Sequence, residues 1–138
     1  MVKRSNRLDL MIWFRLSRFY NHSLRLSNQH LKKWQLTAAQ FDVLAQVGGA
    51  DKISQQDLSE KLVVSKGNTT QLLQKMEQRD LITREQEWKT KYISLTEKGK
   101  ALFDDVVSIQ ETFQAEHFNK LNEEEKKQLH HLLKKLGS

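Results

Sequence analysis

Residues 53–95 read ISQQDLSEKLVVSKGNTTQLLQKMEQRDLITREQEWKTKYISL. The order of patterns in this stretch decides the fold. Gln55 to Leu62 carries Leu58 and Leu62 on one face, a spacing that predicts a short amphipathic helix closed at its ends by Ile53 and Val64. Ser65 stands where an N-cap is needed, and Lys66 to about Arg79 shows a second one-sided stripe of Thr69, Leu72, Leu73 and Met76. Two strand-like runs follow, Leu81–Arg84 and Tyr92–Leu95, with β-branched and aromatic residues and partial alternation. Glu85 to Lys91 is expected to form the loop between them. Helix, tight turn, helix and hairpin in this order predict a helix-turn-helix followed by a β-wing.

The outer face of the second helix carries Gly67, Asn68, Thr70, Gln71, Gln74, Lys75 and Gln78, and its start is polar but nearly uncharged. Asn and Gln pair bidentately with adenine and a Thr methyl meets the thymine methyl, so such a face fits the major groove of DNA. The expected base readers are Asn68, Thr70, Gln71 and Gln74. The expected positioning contacts are Ser54, Gln55, Ser65, Lys66, Gly67, Lys75, Lys89 and Lys91, with Arg84 as a further backbone contact. Gly67 costs its helix about 1 kcal/mol relative to Ala, which close approach to a phosphate or base edge would offset. Any solvated helix can carry the same residue types outward. It is the adjoining turn, wing and basic balance that favour DNA. Trp88 has two readings, a wedge at DNA or a ring packed on the hairpin, and packing is the expected one because aromatics usually supply buried area.

Working outward, helix starts announce themselves by capping chemistry. Thr37 with Gln40 and Asn122 with Glu125 form capping boxes, Ser54 with Asp57 is a weaker pair, and Thr96 is a plain N-cap. The first helix is expected from about Asn6 to Lys33, with Leu8, Ile12, Leu16, Phe19, Ser23 and Leu26 along one stripe widened by Trp13, Phe14, Tyr20, Leu24 and Leu31. One small domain does not cover so long an apolar face, so a second subunit is expected against it. The next helix buries Phe41, Leu44, Ala45 and Val47 and ends near Gly48-Gly49. Thr96 opens a long helix with Leu102, Val106, Ile109 and Phe113 at heptad-like spacing. The last helix places Leu129, Leu132, Leu133 and Leu136 inward, with acidic residues in its first turn and Lys134-Lys135 in its last, as the helix dipole favours.

The 138 residues favour one domain, and a formal charge of +6 points to an anionic partner, nucleic acid ahead of a membrane surface. The sequence has no cysteine, which excludes disulfides, thiol sensing and thiolate metal sites. No apolar run approaches the roughly 20 residues that span a bilayer. The basic, briefly apolar start is interrupted by Asp9, Arg15 and Arg18, so it reads as helix rather than signal peptide, and a cytoplasmic location is expected.

Other chemistry finds little support. His22, His30, His117, His130 and His131 show no i,i+4 metal spacing and no accompanying acidic cluster. Asp104 and Asp105 are helix neighbours that point apart. No nucleophile–base pair or phosphate-cradling glycine loop occurs, so no catalysis, metal or cofactor is expected. Trp13, Phe14, Tyr20, His22, Trp34 and Phe41 are candidates for a small-molecule pocket beside the winged unit, against a plainer reading of core and subunit packing.

LTAAQFDVL at 36–44, SQQDLSEKLVVSKGNTTQLLQKMEQRDLITR at 54–84 and ISLTEKGKAL at 93–102 together resemble the MarR family of winged-helix regulators, and the likeness spans nearly the whole chain. The resemblance implies a mainly α fold with a small β-hairpin wing, an α+β arrangement. It implies dimerisation helices at 1–35 and 100–138 around a DNA-binding unit at 36–99, all within one domain. It further implies a homodimer on a palindromic operator of double-stranded DNA, transcriptional control that is usually repression, and in many members release by a small, lipophilic effector. Two departures stand out. The Asp-Arg pair common in the family's wing falls at Glu87-Trp88 here, followed by Lys89, and the glycine usual after the recognition helix is Asp80. A left-handed cap tolerates Asp, so the second change is minor. The first leaves room for a rival reading, a winged module for protein contacts that has lost DNA. A small-molecule or metal carrier without an operator is a further rival.

Overall fold

The computed structural model describes residues 6–63 and 68–137. Six helices and three short strands follow in the order α1 (Arg7–Leu31), a 3-10 turn (Lys32–Trp34), α2 (Ala38–Ala50), β1 (Lys52–Ser54), α3 (Gln55–Lys61), α4 (Thr69–Gln78), β2 (Ile82–Glu87), β3 (Thr90–Leu95), α5 (Glu97–Glu116) and α6 (Glu123–Lys135). The strands form one antiparallel sheet in the order β1-β3-β2.

The caps read from sequence are formed. Thr37 and Gln40 bond reciprocally at 3.1 and 3.0 Å, and Asn122 and Glu125 do so at 2.8 and 3.0 Å. The Ser54 hydroxyl accepts from the Asp57 amide and the Thr96 hydroxyl from the Gly99 amide. Each takes up an amide that the first turn leaves without an intrahelical partner. The N-cap at Ser65 and the contribution of Gly67 lie outside the described residues.

The core collects Phe41, Val43, Leu44 and Val47 of α2, Leu58 of α3, Leu72, Leu73 and Met76 of α4, and Leu81, Ile82 and Ile93 of the sheet, with Leu31 and Val106 from the long helices. All four positions of the stripe expected on α4, Thr69 included, are buried. Asp80 adopts the left-handed conformation, φ 58°, that its place after α4 requires. Gly99 lies so close to the Leu81 carbonyl that a Cβ there would overlap its oxygen. The Thr96 amide also donates to that oxygen, at 3.1 Å. These contacts seat the start of α5 on the turn between α4 and β2.

Three expectations need correction. The strand β1 was not foreseen. It pairs Ile53 with Ile93 while its last residue caps α3, so sheet and helix share Ser54. The wing is longer than expected and its loop shorter: Glu85, Gln86 and Glu87 pair with Tyr92, Lys91 and Thr90, leaving Trp88 and Lys89 as a two-residue turn. Cross-strand hydrogen bonds extend a ribbon whose side chains are polar on both faces and so carry no apolar alternation. Finally, α6 has no buried residue. Within the chain Leu132, Leu133 and Leu136 are exposed, as are Leu8, Met11, Ile12, Trp13 and Phe14 of α1.

Candidate nucleic-acid interface

The α4 helix is held by its buried stripe, so its opposite face is fixed in direction. On that face Asn68, Thr70, Gln71, Gln74 and Lys75 are all exposed. Asn68 occupies the N-cap position, yet its side chain makes no capping bond. Just past α3, Val63 is anchored to α2, because its amide donates to Asp42 Oδ2 at 2.8 Å. Of the remaining expected contacts, Lys66, Ser65 and Gly67 lie outside the described residues. Ser54 and Gln55, at the start of α3, are half-buried, and the Ser54 hydroxyl is engaged in its cap.

The wing is tied to α4 through Arg84, whose guanidinium bonds Glu77 Oε1 through Nη2 at 2.9 Å and Nε at 3.2 Å. Arg84 is therefore engaged in holding the hairpin against the end of α4 rather than presented free. At the far end, Lys52 Nζ reaches Glu87 Oε1 at 2.6 Å and lies 4.4 Å from the centre of the Tyr92 ring. The hydrogen bond that Lys52 donates to Glu87 raises the Lys52 pKa above its ordinary 10.5, with the charges of Glu87, Tyr92 and Glu85 adding to it. Lys89 and Lys91 are exposed on the hairpin.

Trp88 overturns its expected packing. It sits at the tip of the turn, 91% exposed, with φ 59°. Its contacts there are local: Gln86 Nε2 donates to the Trp88 carbonyl at 3.2 Å, and Lys89 Nζ stands 5.5 Å from the ring centre.

The aromatic pocket candidates do not converge. Trp13, Phe14, Tyr20 and His22 are exposed on α1, Trp34 is half-buried, and Phe41 is in the core. A cleft of about 370 Å³ lies elsewhere, lined by His30, Ser108, Ile109, Thr112, Phe113 and Glu116. At its edge His30 stacks on Phe113, with ring centres 4.1 Å apart, and its Nδ1 lies 2.7 Å from Oε1 of the fully buried Gln110. Sequence reading passed over Gln110. It occupies an inward position of α5 next to Ile109, and a polar residue in such a stripe is the only cue that it offers. No described helix is long and apolar enough to cross a membrane.

Comparison with known proteins bears on the same elements. The sequence model of the MarR family matches residues 34–87, from the 3-10 turn to the end of β2. An HTH-type transcriptional regulator of Bacillus cereus is 43% identical over 134 residues, covering 96% of this chain and 91% of its own length. The regulator SarZ of Staphylococcus aureus is 36% identical over 76 residues, covering 53% of this chain and 51% of its own length. Among solved structures, a mutant MarR from E. coli complexed with operator DNA superposes with a TM-score of 0.84 at 23% identity, covering 99% of this chain and 100% of that one. BpsR of Bordetella bronchiseptica superposes at 0.79 with 24% identity, covering 91% of this chain and 92% of that one. With a winged helix-turn-helix built on these caps and this stripe, and with a near full-length relative at this identity, the chain belongs to the MarR family of DNA-binding transcriptional regulators.

Proposed function

We propose that this chain is a repressor that binds a palindromic operator as a homodimer and is released from it by a small-molecule effector. The observation that carries the reading is the division of α4: its inner residues are committed to the core, and its outer residues are exposed and polar, uncharged over the first turn, with Lys75 and the Arg84-paired Glu77 farther along. Asn68, Thr70, Gln71 and Gln74 would read base edges, and Lys66, Lys75, Lys89 and Lys91 would neutralise phosphates, with Ser54, Gln55, Ser65 and Gly67 positioning the backbone and Arg84 holding the wing on Glu77 of α4. Residues 36–99 form the reading unit in this account. Residues 1–35 and 100–138 join two subunits, which supplies a cover for the apolar side chains that α1 and α6 expose. Two α4 helices would then enter successive major grooves about 34–36 Å apart. Release by an effector is supported by the cleft beside His30 and by the regulation of BpsR DNA binding by 6-hydroxynicotinic acid. Such a regulator works where the chromosome is, in the cytoplasm.

Selection of bound sequences from random duplex DNA tests the reading. A twofold-symmetric consensus, bound with an affinity that falls steeply with salt, is the expected result. Recovery of no consensus, or binding indifferent to salt, would instead favour the winged module specialised for protein contacts.

A further inference from the structure

A tryptophan at the tip of a hairpin is an unusual use of that side chain. Ring area is normally withdrawn from water, because burial of apolar surface is favourable. Trp88 is instead 91% exposed, the most exposed of the large apolar residues described here. Its backbone is equally out of the ordinary. A two-residue hairpin turn gives its left-handed first position to glycine, asparagine or aspartate, because a bulky side chain is strained there. Trp88 holds that position at φ 59°. The strain disfavours the folded chain, the exposure forgoes the stabilisation that burial would bring, and among the described residues no packing offsets either.

The surroundings show what the ring is presented to. Lys52 engages Glu87, the acidic residue next to Trp88, at 2.6 Å, which masks the negative charge nearest the tip and braces the end of β2. Lys89 and Lys91 remain exposed beside the ring and bring positive charge to it. Gln86 holds the Trp88 carbonyl. At the other end Arg84 ties β2 to Glu77 on α4, which sets the direction of the wing relative to that helix. The β2 strand runs from Ile82 to Glu87 and carries the tip roughly 20 Å at about 3.3 Å per residue. That is enough to leave the groove occupied by α4 and reach the next one.

We propose that Trp88 is a specificity-determining residue of the DNA interface: an apolar wedge that the wing sets into the minor groove flanking the site read by α4, against the sugars or a partly unstacked base step. This rests on the DNA-binding function proposed above. An apolar wedge reads the width and deformability of the groove rather than its hydrogen-bond pattern. The flanking positions of the operator would therefore be chosen for ease of opening, and A·T-rich or pyrimidine–purine steps satisfy that requirement.

The test uses the full-length protein and the duplex that it selects from a random library. Trp88→Gly relieves the strained turn and removes the ring, and Trp88→Phe retains an apolar ring. The expected result for Trp88→Gly is an affinity lower by about ten- to a hundredfold, the range of an aromatic contact to a base. Its melting temperature should not fall and its salt slope should be unchanged, since no charge is lost. Trp88→Phe should recover most of the affinity. Diaminopurine in place of adenine in the flank adds an amino group to the minor groove. It should weaken the unsubstituted protein and leave Trp88→Gly indifferent. Equal binding by the unsubstituted protein and Trp88→Gly overturns the wedge, and so does a lowered melting temperature that accounts for the loss. If Gln71→Ala shifts base preference while Trp88→Gly changes nothing, the wedge alone fails. If the unsubstituted protein selects no duplex, both this inference and the proposed function fail.

Discussion

Gly99 and Leu81 are in such close contact that the first turn of α5 rests directly on the Leu81 carbonyl, with no room for a side chain at 99. The same carbonyl accepts from the Thr96 amide, and the Thr96 hydroxyl reaches the Asp80 carbonyl at 2.6 Å. One short turn thus joins the end of α4, the root of the wing and the start of the long helix α5.

The first prediction follows from that seam. Gly99→Ala should destabilise the protein by roughly 1–3 kcal/mol, as overpacking of a tight contact does. The obstacle is backbone rather than a side chain that can turn aside. Urea denaturation at fixed protein concentration measures it, and a value within error of the unsubstituted protein would show that α5 can shift without cost.

Base reading by α4 gives the second. Gln71→Ala should relax preference at one base position by about 1–3 kcal/mol, whereas Lys75→Ala should weaken binding to all sequences alike and reduce the salt slope by about one. Competition binding against a panel of single-base operator variants, repeated at several salt concentrations, separates the two behaviours.

Subunit association gives the third. Trp13 is 64% exposed on α1, so a charge there costs the single chain little. Trp13→Glu should shift the protein from dimer to monomer in sedimentation equilibrium while leaving its helical circular dichroism in place. A dimer that survives the substitution would remove α1 from the subunit contact.

A fourth prediction concerns the polar pair between α1 and α5. Gln110→Leu takes from the half-buried His30 its 2.7 Å partner and should cost about 0.5–1.5 kcal/mol, the net contribution of a hydrogen bond. Replacing both residues with Leu should cost less than the sum of the two single changes, because neither is left abandoned. A double-mutant cycle by chemical denaturation reads the difference.

The fifth concerns pH. Lys52 has a pKa raised above 10.5 by its bond to Glu87. Its contribution is therefore fully present below pH 10.5 and is lost as pH rises through the higher folded value. The order of the wing should be constant across neutral pH and fall only in strong alkali. Lys52→Gln should remove that alkaline step in the fluorescence of Trp88.

What the sequence disclosed and what it hid divide along physical lines. Caps and the buried stripe of α4 are local: Thr37 with Gln40, or Leu72 with Met76, declare themselves within one or two turns. The wing tip was misread because its strands are polar on both faces and its turn has neither glycine nor asparagine, so nothing marked the reversal at Trp88-Lys89. The same residue was expected to pack because burial is the common fate of an aromatic, and only the geometry of the turn shows otherwise. Three residues sufficed for β1, too few for periodicity, and Ser54 was already explained by its cap. His30 and Gln110 meet across 80 residues of sequence, a distance at which no pattern reaches. Of the proposed interface, the exposed face of α4 was legible because an apolar stripe defines its opposite, while the engagement of Arg84 with Glu77 was not.

The Lys52–Glu87 clasp also makes dissolved ions act on this protein twice. Counterions compete with lysines for phosphate, as they do for any DNA-binding protein, and they also shield an exposed charge pair that stiffens the hairpin from within. A titration with potassium chloride would therefore combine the loss of an attraction with the slackening of a lever, and Lys52→Gln would show the first alone.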